Sequence, residues 1–253
     1  MAQKVVGESS DSQEPGVYGE NGFSPGFDVA RVSGPGYGVR GHTAHGYAGV
    51  CGEGGENGVF GVTDSAKGSG VFGRNNGAGK GVAGYSATGP AIYGSGPKAA
   101  LFDGNVEVTG EIQLGPGHAD CAEEFELGSD GTEHSPGTVM VIRENEQLAQ
   151  SSFAYDRRVA GVVSGAGGYR PALVLDRQMT GNRVSVALVG KVYCKVDATV
   201  SPVEVGDLLT TSSTPGHAMR AADPSRAQGA IIGKALRALH EGHALLPILI
   251  SLQ

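Results

Sequence analysis

The chain has 253 residues, 44 of them Gly and 12 Pro, with no Trp, 18% charged residues and a net charge of −7. So much glycine excludes a helix bundle, because each interior Gly costs about 1 kcal/mol of helix relative to Ala. The charge content is too low for a polyelectrolyte-like disordered chain, and the absence of a strict Gly-X-Y period excludes collagen.

Residues 1–119 hold 30 of the glycines and residues 120–253 hold 14. The aliphatic runs show the opposite bias, with VSVALVGKVYCKV and ALLPILISL both in the second part. Two regions are therefore expected, dividing near 115–120. The second is long enough to bury a core of its own; the first has too little apolar area to offset its chain entropy alone. No Lys/Arg cluster points to nucleic acid, and no run of 18 apolar residues points to a bilayer span. The start, MAQKVVGESSDSQEP, lacks the apolar core of a secretory signal, so synthesis in the cytoplasm is expected. Three scattered cysteines, Cys51, Cys121 and Cys194, make neither a disulfide framework nor a zinc site. No metal and no cofactor are expected.

After an N-terminal segment, 1–15, a repeat runs over 16–100. Its unit is Gly-Val-x-Gly or a near variant: GVYG, GVRG, GVCG, GVFG, GVFG, GVAG and AIYG. The apolar anchors are Val17, Val39, Val50, Val59, Val71, Val82 and Ile92, at spacings of 22, 11, 9, 12, 11 and 10 residues. The first gap fits two units, with Phe27 as an anchor between them. Glycine on both sides of each anchor excludes an 11-residue helical repeat. One short strand and one turn per unit remain, with the Val inward and the next residue (Tyr18, Phe60, Phe72, Tyr93) on the other face. Eleven residues are too few for a full rung of a single-chain β-solenoid. They suit one face of a rung completed by other chains, so an intertwined trimeric, β-helix-like shaft is expected. The repeat resembles the shaft repeats of phage tail spikes and cell-puncturing needles. That resemblance implies a homotrimer on a virion or injection particle, with a tail or baseplate protein and a host-surface glycan or receptor as further partners. Tyr and Phe beside Gly fit strand packing; a carbohydrate-binding module that stacks sugars on them is the alternative.

Residues 101–119 read as a connecting strand, with Val106, Val108, Ile112 and Leu114 alternating with Glu107, Thr109, Glu111 and Gln113. Then comes ADCAEEFE at 119–126. It resembles the Asp-aromatic-Ala-Glu-x-Phe-Glu signature that opens the intramolecular chaperone, autocleaving C-terminal domain of phage appendage and tail-fibre proteins (the G2 peptidase family). The resemblance implies cleavage of Ala119–Asp120 after trimerisation, with Asp120 and Glu123 as actors. This chain departs from the family pattern at Cys121, where an aromatic is usual, and at Ala119, where cleaved proteins can carry Ser. The same residues also read as a capping box, Asp120 opening a short helix over 121–127 with Glu123 reaching back.

The remainder, 120–253, reads as short strands: 138–143, 159–164, 184–196 and 202–211. A turn at SSTPGH leads into AMRAA, and 231–239 and 245–252 form a hairpin around HEGH. Gly190 marks a bend or bulge, and Pro247 an edge or bulge. Ser164, in GVVSGAG, does not fit a nucleophile elbow. His217, His240 and His243 are too few and too scattered for a metal site, whereas His42, His45 or His118 could meet on a threefold axis. Cys194 reads as a buried core thiol. The expected fold is all-β, a trimeric shaft followed by a compact β barrel or sandwich.

Overall fold

Fifteen residues, Arg183–Asp197, form the longest strand among the described residues. Their sequence is rich in Val at alternate positions, which suits a strand half-buried on each side. The computed structural model describes residues 56–128, 134–178 and 180–252. In chain order its strands are β1 (His118–Glu126), β2 (Val139–Ile142), β3 (Leu148–Gln150), β4 (Val159–Val163), β5 (Arg170–Leu175), β6 (Arg183–Asp197), β7 (Leu208–Thr211), β8 (Ala218–Arg220), β9 (Ile231–Ala235) and β10 (His243–Ser251). The only helical pieces among the described residues are a 3-10 turn, Glu144–Glu146, and one turn of α-helix, α1 (Pro224–Ala227). The fold is all-β.

β6 serves two sheets. Its second half belongs to a ring β6–β8–β7–β9–β10 that closes because β10 also pairs β6, from Val189 to Asp197. This is a five-stranded barrel, filled by Val192, Val196, Leu209, Ile232, Ile248 and Ile250. Each such side chain contributes about 1.5–3 kcal/mol by leaving water. Cys194 is fully buried here, and burial pushes its thiol up to about 12, so it is an inert core group. The first half of β6 lies between β1 and β4, and β2 and β3 follow β4. A bridge from Leu127 to Leu148 brings the end of β1 back to β3 around a smaller core of Leu127, Met140, Leu148, Val163 and Val186. β5 pairs β1 in parallel.

The two systems meet at Gly190. There Asp120 of β1 lies on one side of β6 and Ile250 of β10 on the other. Gly190 has φ of 108°, and a Cβ added to it would stand 2.9 Å from the Asp120 Cα. Only glycine permits both the backbone angle and the approach.

The strands expected at 138–143, 159–164 and 184–196 are present, as are the β7–β8 and β9–β10 hairpins. Pro247 is not on a free edge: its residue pairs Tyr193, and its carbonyl accepts from the Leu236 N–H where β10 parts from β9. Of the strand expected at 202–211, only Leu208–Thr211 forms. Two further expectations fail. The short helix over 121–127 is a strand, because β1 pairs β5 from His118 to Glu123 and β6 from Asp120 to Glu126. Residues 101–114 make no ladder in one chain, and Val106, Val108, Ile112 and Leu114 are exposed. Their alternation is real, but no partner strand among the described residues meets it.

The chain divides into two compact units, Met1–Leu101 and Phe102–Gln253. Among the described residues, no helix is long and apolar enough to cross a membrane.

Candidate functional site

Four repeat units fall within the described residues: 58–61, 70–73, 81–84 and 91–94. The anchors Val17, Val39 and Val50 lie outside them, as do His42 and His45. Successive units meet backbone to backbone. The closing Gly of one unit faces the opening residue of the next: Gly61 meets Gly70, Gly73 meets Gly81, and Gly84 meets Ala91. A Cβ on Gly73 would lie 2.5 Å from the Gly81 carbonyl oxygen, and one on Gly84 2.6 Å from that of Ala91. Real Cβ atoms do not approach so closely, so the repeated glycines are explained by contact between units as well as by turn geometry. The turns between units are held by side chains that accept from glycine N–H groups: Ser65 from Gly68 at 3.1 Å, Asn75 from Gly77 at 2.7 Å, and Ser86 from Gly89 at 3.0 Å.

No strand ladder forms over these units, and among the described residues nothing covers their apolar side chains. Val59, Val71, Val82 and Ile92 are 68–76% exposed, and Phe60, Phe72 and Tyr93 are 76–83% exposed. The expected contrast between an inward anchor and an outward aromatic is therefore absent in the single chain. Both faces are open. With the exposed Leu101, Phe102, Val106, Val108, Ile112 and Leu114, the apolar series continues to the start of β1. Monomeric soluble proteins rarely leave large apolar patches uncovered, and here many large apolar side chains are exposed in sequence.

The second candidate centre is Asp120. It is 2% exposed, on the inner face of β1 with Ala122. The Ser164 hydroxyl donates to its Oδ2 at 2.8 Å, while its Oδ1 is buried with no hydrogen-bond partner. Burial raises the Asp120 pKa, and the Ser164 hydrogen bond offsets only part of that rise. Glu123 is half-buried on the opposite face, since an odd spacing in a strand reverses the side-chain direction. One chain thus does not bring Asp120 and Glu123 together. Ser164 is a polar partner that sequence reasoning missed. It lies 44 residues from Asp120, and its flanking residues match no motif.

A third polar cluster surrounds Asp197, which is 1% exposed. The Thr199 N–H and hydroxyl donate to its Oδ1 at 2.9 and 2.6 Å, and the Ser212 and Thr214 hydroxyls to its Oδ2 at 2.9 and 2.6 Å. Burial would raise its pKa, but the donors from Thr199, Thr214 and Ser212 outweigh burial and hold the carboxyl well below the usual range. His243 Nε2 stands 3.4 Å from Oδ1, and the His217 ring packs edge-on to His243 at 5.1 Å. His240 instead approaches Glu204, and His118 Nδ1 lies 3.1 Å from the Pro171 carbonyl. Among the described residues, no three His, Cys, Asp or Glu side chains converge as metal ligands. Asp197 organises the two loops after β6 and β7; no motif in the sequence marked it.

No family model and no curated protein matches the chain. Among solved structures, it is similar to the C-terminal fragment of bacteriophage phi29 gene product 12. The two are 13% identical, the match covers 52% of this chain and all of that fragment, and the TM-score is 0.34.

Proposed function

We propose that the protein is a structural fibre or spike component of a phage tail or a phage-derived contractile injection system, assembled as a homotrimer for attachment or host-surface contact. One observation carries the reading. The repeat stacks unit on unit through glycine contacts, yet leaves every described anchor, and the aromatic beside three of them, exposed in a single chain. Burial of those side chains needs other copies, and a register-keeping repeat in each copy lets them wind together. The β domain at 120–253 then sets the register from one end. Multi-angle light scattering under native conditions is expected to give a mass of three 25.6 kDa chains. A single-chain mass overturns the reading.

Asp120 favours a second reading, self-processing at Ala119–Asp120. A buried carboxyl with a raised pKa and one uncommitted oxygen, next to the bond in question, is a group held ready for chemistry rather than spent on structure. Hydrolysis of that bond consumes one water and separates the repeat from the β domain. In this reading Glu123 acts from a neighbouring copy. Intact-mass spectrometry of the assembled protein is expected to show two fragments for the wild type and one full-length chain for Asp120→Ala. A full-length mass for the assembled wild type sinks it.

A further inference from the structure

The hairpin β2–β3 turns through residues 143–147, closed by the Arg143 N–H donating to the Gln147 carbonyl at 2.7 Å. Asn145 and Glu146 both take left-handed backbone angles, with φ of 59° and 62°. That conformation is unfavourable for Glu and persists where the surroundings demand it. The turn stands between two open clefts that share Ile142 and Asn145 as a common wall. Ile142 is 48% exposed there.

The clefts carry opposite charge. One is lined by Arg143, Arg157 and Arg158, with Glu144 as its one carboxylate. Arg158 is neutralised by Asp156 at 2.7 Å, whereas no carboxylate among the described residues pairs with Arg143 or Arg157. The other is lined by Glu123, Glu124, Glu126, Glu146 and Asp176, with Arg183 as its one cation. Arg183 is taken by Asp176 at 2.6 Å and approaches Glu124, which also faces Arg177. Glu123, Glu126 and Glu146 have no cationic partner among the described residues. Among the described residues, Arg143 and Arg157 thus stand without a carboxylate partner on one side of the hairpin, with Glu144 beside them, and Glu123, Glu126 and Glu146 stand without a cationic partner on the other.

A ring of identical chains needs two different patches on each chain, complementary to one another, because its contacts are head-to-tail. We propose that these two clefts are that pair of patches. Glu123, Glu126 and Glu146 of one copy of this chain dock on Arg143 and Arg157 of the next, with Ile142 giving apolar contact at the shared wall. The occupant of each cleft is a second copy because the complement of each is present on the same chain. The contact deepens the trimeric reading above and rests on it. Its role is register: charge pairs at an interface favour one alignment and penalise others, while the exposed apolar shaft supplies area.

The test uses the full-length protein and charge reversal. Arg157→Glu alone and Glu126→Arg alone each place like charges across the contact. Each is expected to speed subunit exchange between fluorescently labelled assemblies about tenfold or more. The double variant Arg157→Glu/Glu126→Arg restores an opposite-charge pair and is expected to return to within about threefold of the wild type. Both residues are exposed, and circular dichroism confirms folding. Should Arg157→Glu misfold, Arg143→Glu replaces it. Unchanged exchange in both single variants, or no recovery in the double variant, overturns the contact while leaving the trimer intact. A wild-type protein that is monomeric overturns the trimeric reading and the contact with it.

Discussion

Asp197→Ala is expected to lower the melting temperature of the β domain by about 6–20 °C. The carboxylate accepts from four donors and sits against His243, all within a side chain that is 1% exposed. Removing it leaves the Ser212 and Thr214 hydroxyls and the Thr199 N–H without their acceptor in a site that water reaches poorly. Breaking a buried charged network in this way costs about 3–5 kcal/mol, and each kcal/mol shifts the melting point of a domain this size by about 2–4 °C. Scanning calorimetry of the full chain at neutral pH measures it. The acid limb gives a second check. The folded pKa of Asp197 is depressed, so its contribution is complete above the ordinary carboxylate value of about 3.9 and is lost as pH falls towards the folded value. Wild-type stability should therefore drop steeply below about pH 4, and Asp197→Ala should show a flatter decline there. A variant that melts with the wild type at pH 7 shows that these hydrogen bonds add no net stability.

The second large effect is in the repeat. Gly73→Ala adds a Cβ that would lie 2.5 Å from the Gly81 carbonyl oxygen and 2.5 Å from Val82 Cγ2. Both belong to the next unit, and the oxygen is backbone, so no side-chain rotation relieves the clash. Overpacking of this kind costs about 1–3 kcal/mol. In a trimer the same clash occurs in all three chains, for about 3–9 kcal/mol per assembly. Gly89→Ala is the matched control: its nearest contact is Ser86 Oγ at 3.6 Å, an ordinary distance. Limited proteolysis followed by mass spectrometry is expected to show cleavage within 56–101 in Gly73→Ala and protection in Gly89→Ala. Equal protection of both variants means that the unit-to-unit contact is not what holds the repeat.

The parts of this fold that were legible in the sequence are those whose partners are near in the chain. The β7–β8 and β9–β10 hairpins follow from alternating apolar residues around SSTPGH and HEGH. The long strand β6 follows from apolar residues at alternate positions, Val184, Val186, Leu188, Val192, Cys194 and Val196. The β1 segment is different. Asp120 and Glu123 have the spacing of a capping box, and local chemistry alone favours a helix there. Two ladders, to β5 and β6, override it, and β5 begins 50 residues after Asp120. The Ser164–Asp120 pair was illegible for the same reason. Residues 106–114 are the reverse case: the strand pattern is plain, but among the described residues nothing pairs with it. A sequence records the demand for a partner without recording whether the partner is the same chain.

The meeting of strands at Gly190 has a topological consequence. The chain enters the sheet system at the start of β1 and leaves it at the end of β10, and both points flank the same stretch of β6. The way in and the way out are two strand spacings apart, about 10 Å. The β domain is thus a closed excursion of the backbone, a bead whose string emerges where it went in. A segment grafted after Leu252 would surface beside His118 rather than at the opposite pole.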